Sequence, residues 1–181
     1  LQAPFTLQTS IIDAIRQEAE AARSGKPARI IAKMNALLEP QTIEALYEAS
    51  QAGVTIDLVV RGVCALRPGV AGLSENIRVR SVIGRFLEHH RIFYFLAGGK
   101  ERVYLSSADW MERNFFRRIE LAFPILDKKL KRRVIAEGLQ IYLTDNQQAW
   151  EMDANGSYHL RRGSPDKPRC AQSELIELLK P

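Results

Sequence analysis

The sequence predicts an α/β domain built on a mixed sheet flanked by helices, and three observations predict it. Two short apolar runs rich in β-branched residues, ARIIAKMNAL and VTIDLVVRG, bracket an amphipathic helical segment; four more strand-like runs follow with short connections; and helical periodicity returns before and after them. Taken in order, the segment from Ser10 carries Ile11, Ile12 and Ile15 on one side and charges elsewhere, with Gly25 as its stop. ARIIAKMNAL then reads as a buried strand. PQTIEALYEASQAG places Ile43, Leu46, Tyr47 and Ser50 at i, i+3, i+4 and i+7 and closes on Gly53, a helix with a glycine cap. VTIDLVVRG follows at once, so strand, helix and strand succeed one another over about thirty residues, the size of a βαβ unit with parallel strands. Residues 63–76 are rich in Gly, Pro and Ser and leave the second strand as a loop. IRVRSVI, RIFYFLAG, RVYLSSA and RIELAFPIL read as four further strands, and DKKLKRRVIAEGLQIYL as a helix with a basic face. Residues 150–168 are polar and turn-rich, and a short helix follows near Ser173 to Leu179.

With 181 residues and 46% hydrophobic composition, the chain fits one domain spanning 1–181. Its net charge of +5 favours an anionic partner: phosphate, nucleic acid or acidic lipid. Cys64 and Cys170 are far apart and lack neighbours at zinc-ligand spacing, which points away from a disulfide scaffold or metal knuckle and towards a reducing, cytoplasmic setting. No apolar run approaches the roughly 18 residues of a membrane span, and LQAPFTLQTS has no signal-peptide pattern. Beginning at Leu1, the chain reads as a fragment of a longer protein.

Several residues are placed to carry chemistry. In RFLEHHRIFYF, a strand beginning at His89 would put His89 and Arg91 on one face and His90 on the other. An imidazole beside a forked guanidinium suits a phosphate, although one solvated and one packed histidine fits the spacing equally well. Arg61 follows VTIDLVV directly and should emerge at the carboxyl end of a buried strand, where α/β sheets bind ligands; a strand-end charge reaching solvent is the plainer alternative. In VYLSSADWMERNFFRRIE, the hydroxyls of Ser106 and Ser107 would let a phosphate oxygen approach the backbone, and Asn114 would orient a histidine. A capped helical turn, with Asp109 as N-cap and Trp110 as packing anchor, is the competing reading of that stretch. DKKLKRR offers a polybasic contact or simply a solvated helix face, and no aromatic residues alternate with its charges as single-strand binding would require.

The strings VRGVCALRPG, RFLEHHRI and YLSSADWMERN, within a likeness running from about Leu7 to Leu143, resemble the C-terminal, second phospholipase D-like domain of bacterial polyphosphate kinase. The resemblance implies a phospholipase D-like mixed sheet and one part of a multidomain enzyme that holds ATP in a tunnel between domains. It implies reversible transfer of the ATP γ-phosphate to growing polyphosphate through a phosphohistidine on another domain. Arg61, His89 and Arg91 then match positions that contact ATP phosphates, with His89 acting as phosphate ligand or acid. The superfamily's His-x-Lys and Gly/Ser-Ser-x-Asn elements correspond to His89-x-Arg91 and Ser106-Ser107-Ala108-Asp109, departures that argue against phosphodiesterase chemistry. Mg2+ is implied for the full enzyme, with ligands outside this chain and no metal site within it. ATP or ADP, polyphosphate, the other domains of the polypeptide and further copies of it are the implied partners, without nucleic acid. A cytoplasmic location with peripheral membrane association of the parent is implied too, and inactivity of the fragment alone. The rival readings are a phospholipase D-like phosphodiesterase and a polyanion-binding module without catalysis.

Overall fold

A computed structural model describes residues 1–161 and 167–180, and one nine-stranded mixed sheet runs through them. Strand β1 (Gln2–Ala3) leads into helix α1 (Leu7–Arg23). The central unit is β2 (Arg29–Met34), α2 (Pro40–Gln51) and β3 (Thr55–Val60). Next come β4 (Ile77–Val82), β5 (Arg91–Phe95), β6 (Arg102–Ser106), α3 (Glu112–Phe116) and β7 (Glu120–Pro124). The chain closes with α4 (Lys128–Ile135), a π-helical turn (Ala136–Gln140), α5 (Ile141–Thr144), β8 (Ala149–Met152), β9 (Tyr158–Leu160) and α6 (Ala171–Leu178). Across the sheet the order is β1-β7-β6-β5-β2-β3-β4-β8-β9, with β2, β3 and β4 parallel and every other pair antiparallel.

The two-residue period of β2 divides the core. Ile30, Ala32 and Met34 face α1 and α2, where they meet Ile11, Ile15 and Leu46, while Ile31 faces the other side with Ile92, Tyr94, Ile135 and Leu139. Helices therefore cover both faces, as a parallel centre requires. Helix α2 begins where it does because the Glu39 carboxylate accepts from the backbone N–H of Gln41 (3.2 Å) and Thr42 (2.8 Å), with Pro40 supplying a first residue that needs no partner.

Past the end of β2, residues 35–39 go on pairing on both sides. Leu37 N–H donates to Val63 O at 3.0 Å, Trp110 N–H to Ala36 O at 3.2 Å, and Leu38 N–H to Trp110 O at 2.9 Å. Trp110, fully buried, packs its ring 5.0 Å from that of Phe93. Backbone pairing thus continues beyond the carboxyl end of β2.

The basic helix runs as read, α4 continuing through the π turn at Ala136–Gln140 into α5. Two expectations are corrected. The polar stretch 150–168 contains the end of β8 and the whole of β9, which form an antiparallel hairpin extending the sheet; residues 162–166 of that stretch lie outside the described residues. Asp109 does not cap α3: the N-cap position is Met111, and the carboxylate points elsewhere. No described helix is long and apolar enough to cross a membrane.

Trp110→Ala removes a fully buried indole at the junction of three segments, and should lower unfolding free energy by about 3–5 kcal/mol. Urea denaturation of the domain checks this, and a loss below about 1 kcal/mol would contradict it.

Candidate functional site

Arg61 directly follows β3, and its backbone is fixed from two sides. Its N–H donates to Met34 O at 3.1 Å, and its carbonyl accepts from Ser81 Oγ at 2.8 Å. The next residue, Gly62, donates to Asn35 O at 2.9 Å, and a Cβ there would lie 3.0 Å from that same oxygen, so the close approach favours glycine. The Arg61 Nε donates to Asn35 Oδ1 at 2.9 Å. Its two terminal nitrogens have no hydrogen-bond partner among the described residues.

Asn35 connects Arg61 to Asp109. The Asp109 Oδ1 accepts from Asn35 N at 2.6 Å and from Asn35 Nδ2 at 3.3 Å. The same carboxylate takes Arg91 in a two-point grip, Nε to Oδ1 at 3.2 Å and Nη2 to Oδ2 at 3.0 Å. Arg91 then uses Nη1 to donate to His89 Nδ1 at 3.1 Å and to His89 O at 2.8 Å. A continuous hydrogen-bonded path, Arg61–Asn35–Asp109–Arg91–His89, runs along the carboxyl end of β2 and β3. Burial pushes the Asp109 carboxyl up, but hydrogen bonds from Arg91 and from the backbone of Asn35 and Ala36 overcome this and hold it below the usual range.

A guanidinium only donates, so Nδ1 is the acceptor in the Arg91–His89 contact. The proton of a neutral His89 ring therefore sits on Nε2, and that edge is left to face an exposed surface. His90 differs. Its Nδ1 lies 3.7 Å from Glu88 Oε2, its Nε2 is 3.4 Å from Gly138 O, and its ring tilts against Tyr142 at 5.3 Å. Burial, and then the Lys33 charge, lower its pKa, so it is neutral near pH 7. The two histidines do point different ways, but not by strand alternation: β5 begins at Arg91, and residues 87–90 have no regular structure.

The remaining candidates are engaged by partners within the protein. Ser106 Oγ donates to Leu121 O at 2.9 Å and accepts from Ala108 N at 3.0 Å. Ser107 Oγ donates to Glu120 Oε2, and Asn114 Nδ2 donates to Glu120 Oε1 at 2.6 Å. Asn114 thus orients a carboxylate and not a histidine, and both hydroxyls shape the turn that delivers Asp109. Three participants escaped the sequence reading: Asn35, Lys33 and Glu88. Lys33, 1% exposed, reaches Glu88 Oε2 at 3.2 Å and lies over the Tyr142 ring at 4.7 Å. The signal for Asn35 was its place in KMN just beyond an apolar run, the same strand-end argument that found Arg61.

Burial raises the Glu88 carboxyl as well, and Gln172, Lys33 and Tyr142 more than reverse it, so Glu88 also stays ionised. With Asp109 and Glu88 both engaged by cations, and no group of three potential ligands converging among the described residues, this site does not fit Mg2+.

Comparison with known proteins agrees with this architecture. A family model described as polyphosphate kinase C-terminal domain 2 matches residues 1–172. The polyphosphate kinase of Paraburkholderia phytofirmans is 68% identical over 175 residues, 97% of this chain and 25% of its own. That of Burkholderia lata is 71% identical over 161 residues, 89% of this chain and 23% of its own. The crystal structure of polyphosphate kinase from Porphyromonas gingivalis superposes with a TM-score of 0.94 at 42% identity, covering 99% of this chain and 27% of that one. Nuc from Salmonella typhimurium, a phospholipase D family member, shares the fold at a TM-score of 0.59 and 15% identity, covering 84% of this chain and 95% of that one. The chain spans about a quarter of the length of the polyphosphate kinases it matches.

Because Asp109 has its folded pKa below 3.8, its stabilising contribution is complete above that value and is lost as pH falls through the lower, folded one. Asp109→Asn should cost about 1–3 kcal/mol at pH 7. The gap to the wild type should shrink as pH falls below 3.8 and through the folded pKa, where the wild-type carboxyl is itself protonated. Urea melts of both proteins at each pH decide this; a gap that stays constant would show that Asp109 is not ionised in the fold.

Proposed function

The chain belongs to the polyphosphate kinase family, as its C-terminal domain 2, and from that premise we propose that it supplies the phosphate-binding face of an ATP:polyphosphate phosphotransferase. The observation that carries the proposal is the tethered pair at the carboxyl end of the sheet: Arg61, whose two terminal guanidinium nitrogens are unengaged among the described residues, and the exposed His89, whose Nε2 has no hydrogen-bond partner among them.

In phosphoryl transfer the protein has little covalent chemistry to do, and most of the catalysis comes from positioning and from charge placed against the phosphoryl oxygens. Arg61 brings a permanent cation whose fork matches two oxygens of one phosphate. His89 donates Nε2–H to a neighbouring oxygen. Arg91, whose charge is matched by Asp109, serves chiefly to hold His89. Transfer from the ATP γ-phosphate to a histidine and then to the chain end needs an unprotonated ring nitrogen free to attack, and in a neutral His89 that nitrogen, Nδ1, is engaged by Arg91. On this reading the covalent carrier and the Mg2+ ligands belong to another domain of the full polypeptide. Ser106, Ser107, Asp109 and Asn114 support the site as scaffold.

The same contact weighs against a phosphodiesterase, which would ask His89 to attack phosphorus. The basic face of α4 is a separate feature of the surface, on which Arg133 pairs with Glu137 at 2.7 Å.

In the full-length polypeptide, His89→Ala should lower polyphosphate synthesis by roughly 10²- to 10⁴-fold. Arg61→Ala should cost about 10²- to 10³-fold, as for a lost charge-stabilising donor. His90→Ala should cost much less. Incorporation of labelled γ-phosphate, with phosphopeptide mapping after brief exposure to ATP, checks all three; phosphohistidine at His89, or a His90 variant slower than the His89 variant, would overturn the assignment.

A further inference from the structure

His89 is delivered by a segment with no regular structure of its own. Residues 83–90 join β4 to β5, and Arg85, Phe86 and Leu87 are exposed. What fixes the path is one side chain from far along the chain. Gln172, buried in the first turn of α6, accepts from Phe86 N through Oε1 at 3.0 Å. Its Nε2 donates to Phe86 O at 2.8 Å and to Glu88 Oε1 at 2.7 Å. Both ends of the amide are engaged, and both backbone polar groups of Phe86 depend on it.

The anchor is itself anchored. Ala171 N donates to Asp145 Oδ2 at 2.7 Å, and Arg169 N to Asn146 Oδ1 at 2.7 Å, so the start of α6 is tied to the turn after α5. On the other side, Glu88 is gripped by Lys33 from β2, which brings the segment onto the central sheet. Gly84 makes the approach possible: a Cβ there would lie 2.5 Å from Gln172 Oε1 and 2.3 Å from Gln148 Oε1.

We propose that Gln172 is a positioning residue for His89, holding the 86–88 backbone so that the imidazole meets Arg91 and presents Nε2 to phosphate. The inference rests on the phosphate-binding role of His89 given above. It assigns a task to α6, which takes no direct part in the site.

Misplacing a reacting or binding group by about 1 Å can cost 10²-fold. Gln172→Leu keeps the volume and removes both polar ends. In the full-length enzyme it should lower kcat for polyphosphate synthesis by about 10- to 100-fold, with the circular dichroism spectrum and melting transition retained. The test is a double-variant cycle on the same assay. Because Gln172 acts through His89, His89→Ala with Gln172→Leu should be no slower than His89→Ala alone. The exchange Glu88→Gln with Gln172→Glu, which keeps one donor facing one carboxylate beside Lys33, should recover part of the activity lost in Gln172→Glu. If Gln172→Leu does not fold, Gly84→Ala takes its place in the cycle, since it displaces the amide and leaves Gln172 present. Effects that multiply in the double variant, or a wild-type rate for Gln172→Leu alongside a crippled His89→Ala, would overturn the positioning role while leaving the site reading intact. A wild-type rate for His89→Ala would overturn both.

Discussion

The buried carboxylate of Asp109 is the constraint on which the site depends. It collects the end of β2 through Asn35, the start of β5 through Arg91, and the turn after β6 on which it sits. An ionised carboxyl out of water is costly without partners, so these three segments satisfy it only while they stay together. Such a pair adds little net stability once desolvation is counted, and hydrophobic packing about Trp110 and Phe93 outweighs it. Its contribution is registration. Arg61 and His89, on different strands and loops, are fixed relative to one another because both are bonded to partners of one anion.

Much of the fold was legible because it rests on local rules. The alternation of Ile30, Ile31, Ala32 and Met34 states which side chains face which helices, and strand, helix and strand in close succession imply the parallel centre. The edges were harder. β8 and β9 are four and three residues long, with Trp150 exposed, so neither run alternates for long enough to register, although Asn155-Gly156 between them is a hairpin signal. Nothing in residue type announces the π turn. Within the site, Arg61 could be found because a charge ending an apolar strand is a local feature, whereas Asp109 meets Asn35 across 74 residues and Gln172 meets Phe86 across 86. Partnerships of that span leave no period in the sequence.

His89 and His90 show how one backbone step can separate two chemistries. Strand alternation would have done so, but the strand starts after both. Each imidazole instead follows a different buried acid: His89 is drawn to the Arg91 that Asp109 holds, and His90 settles beside Glu88, which Lys33 holds. The acids themselves touch cations and not phosphate. By neutralising Arg91 and Lys33 separately, they leave Arg61 as the cation of this cluster whose terminal nitrogens are open to an anion.

The pairing of Arg91 with Asp109 has a physical meaning in this geometry. Lysine offers a single nitrogen, so it could not grip a carboxylate at two points and still donate to a histidine two residues away. Arginine can, with Nε and Nη2 on Asp109 and Nη1 on His89. The aspartate is what makes the arginine tolerable there, because it supplies a buried anion for a buried cation, where an asparagine would leave that charge unmatched. The arginine and the aspartate therefore act as one. Together they occupy Nδ1 of the histidine from the donor side, which places the ring proton on Nε2. A histidine so held has its unprotonated nitrogen engaged, which is what the proposed role as a phosphate ligand through Nε2–H, and not as the phosphorylated residue, asks of it.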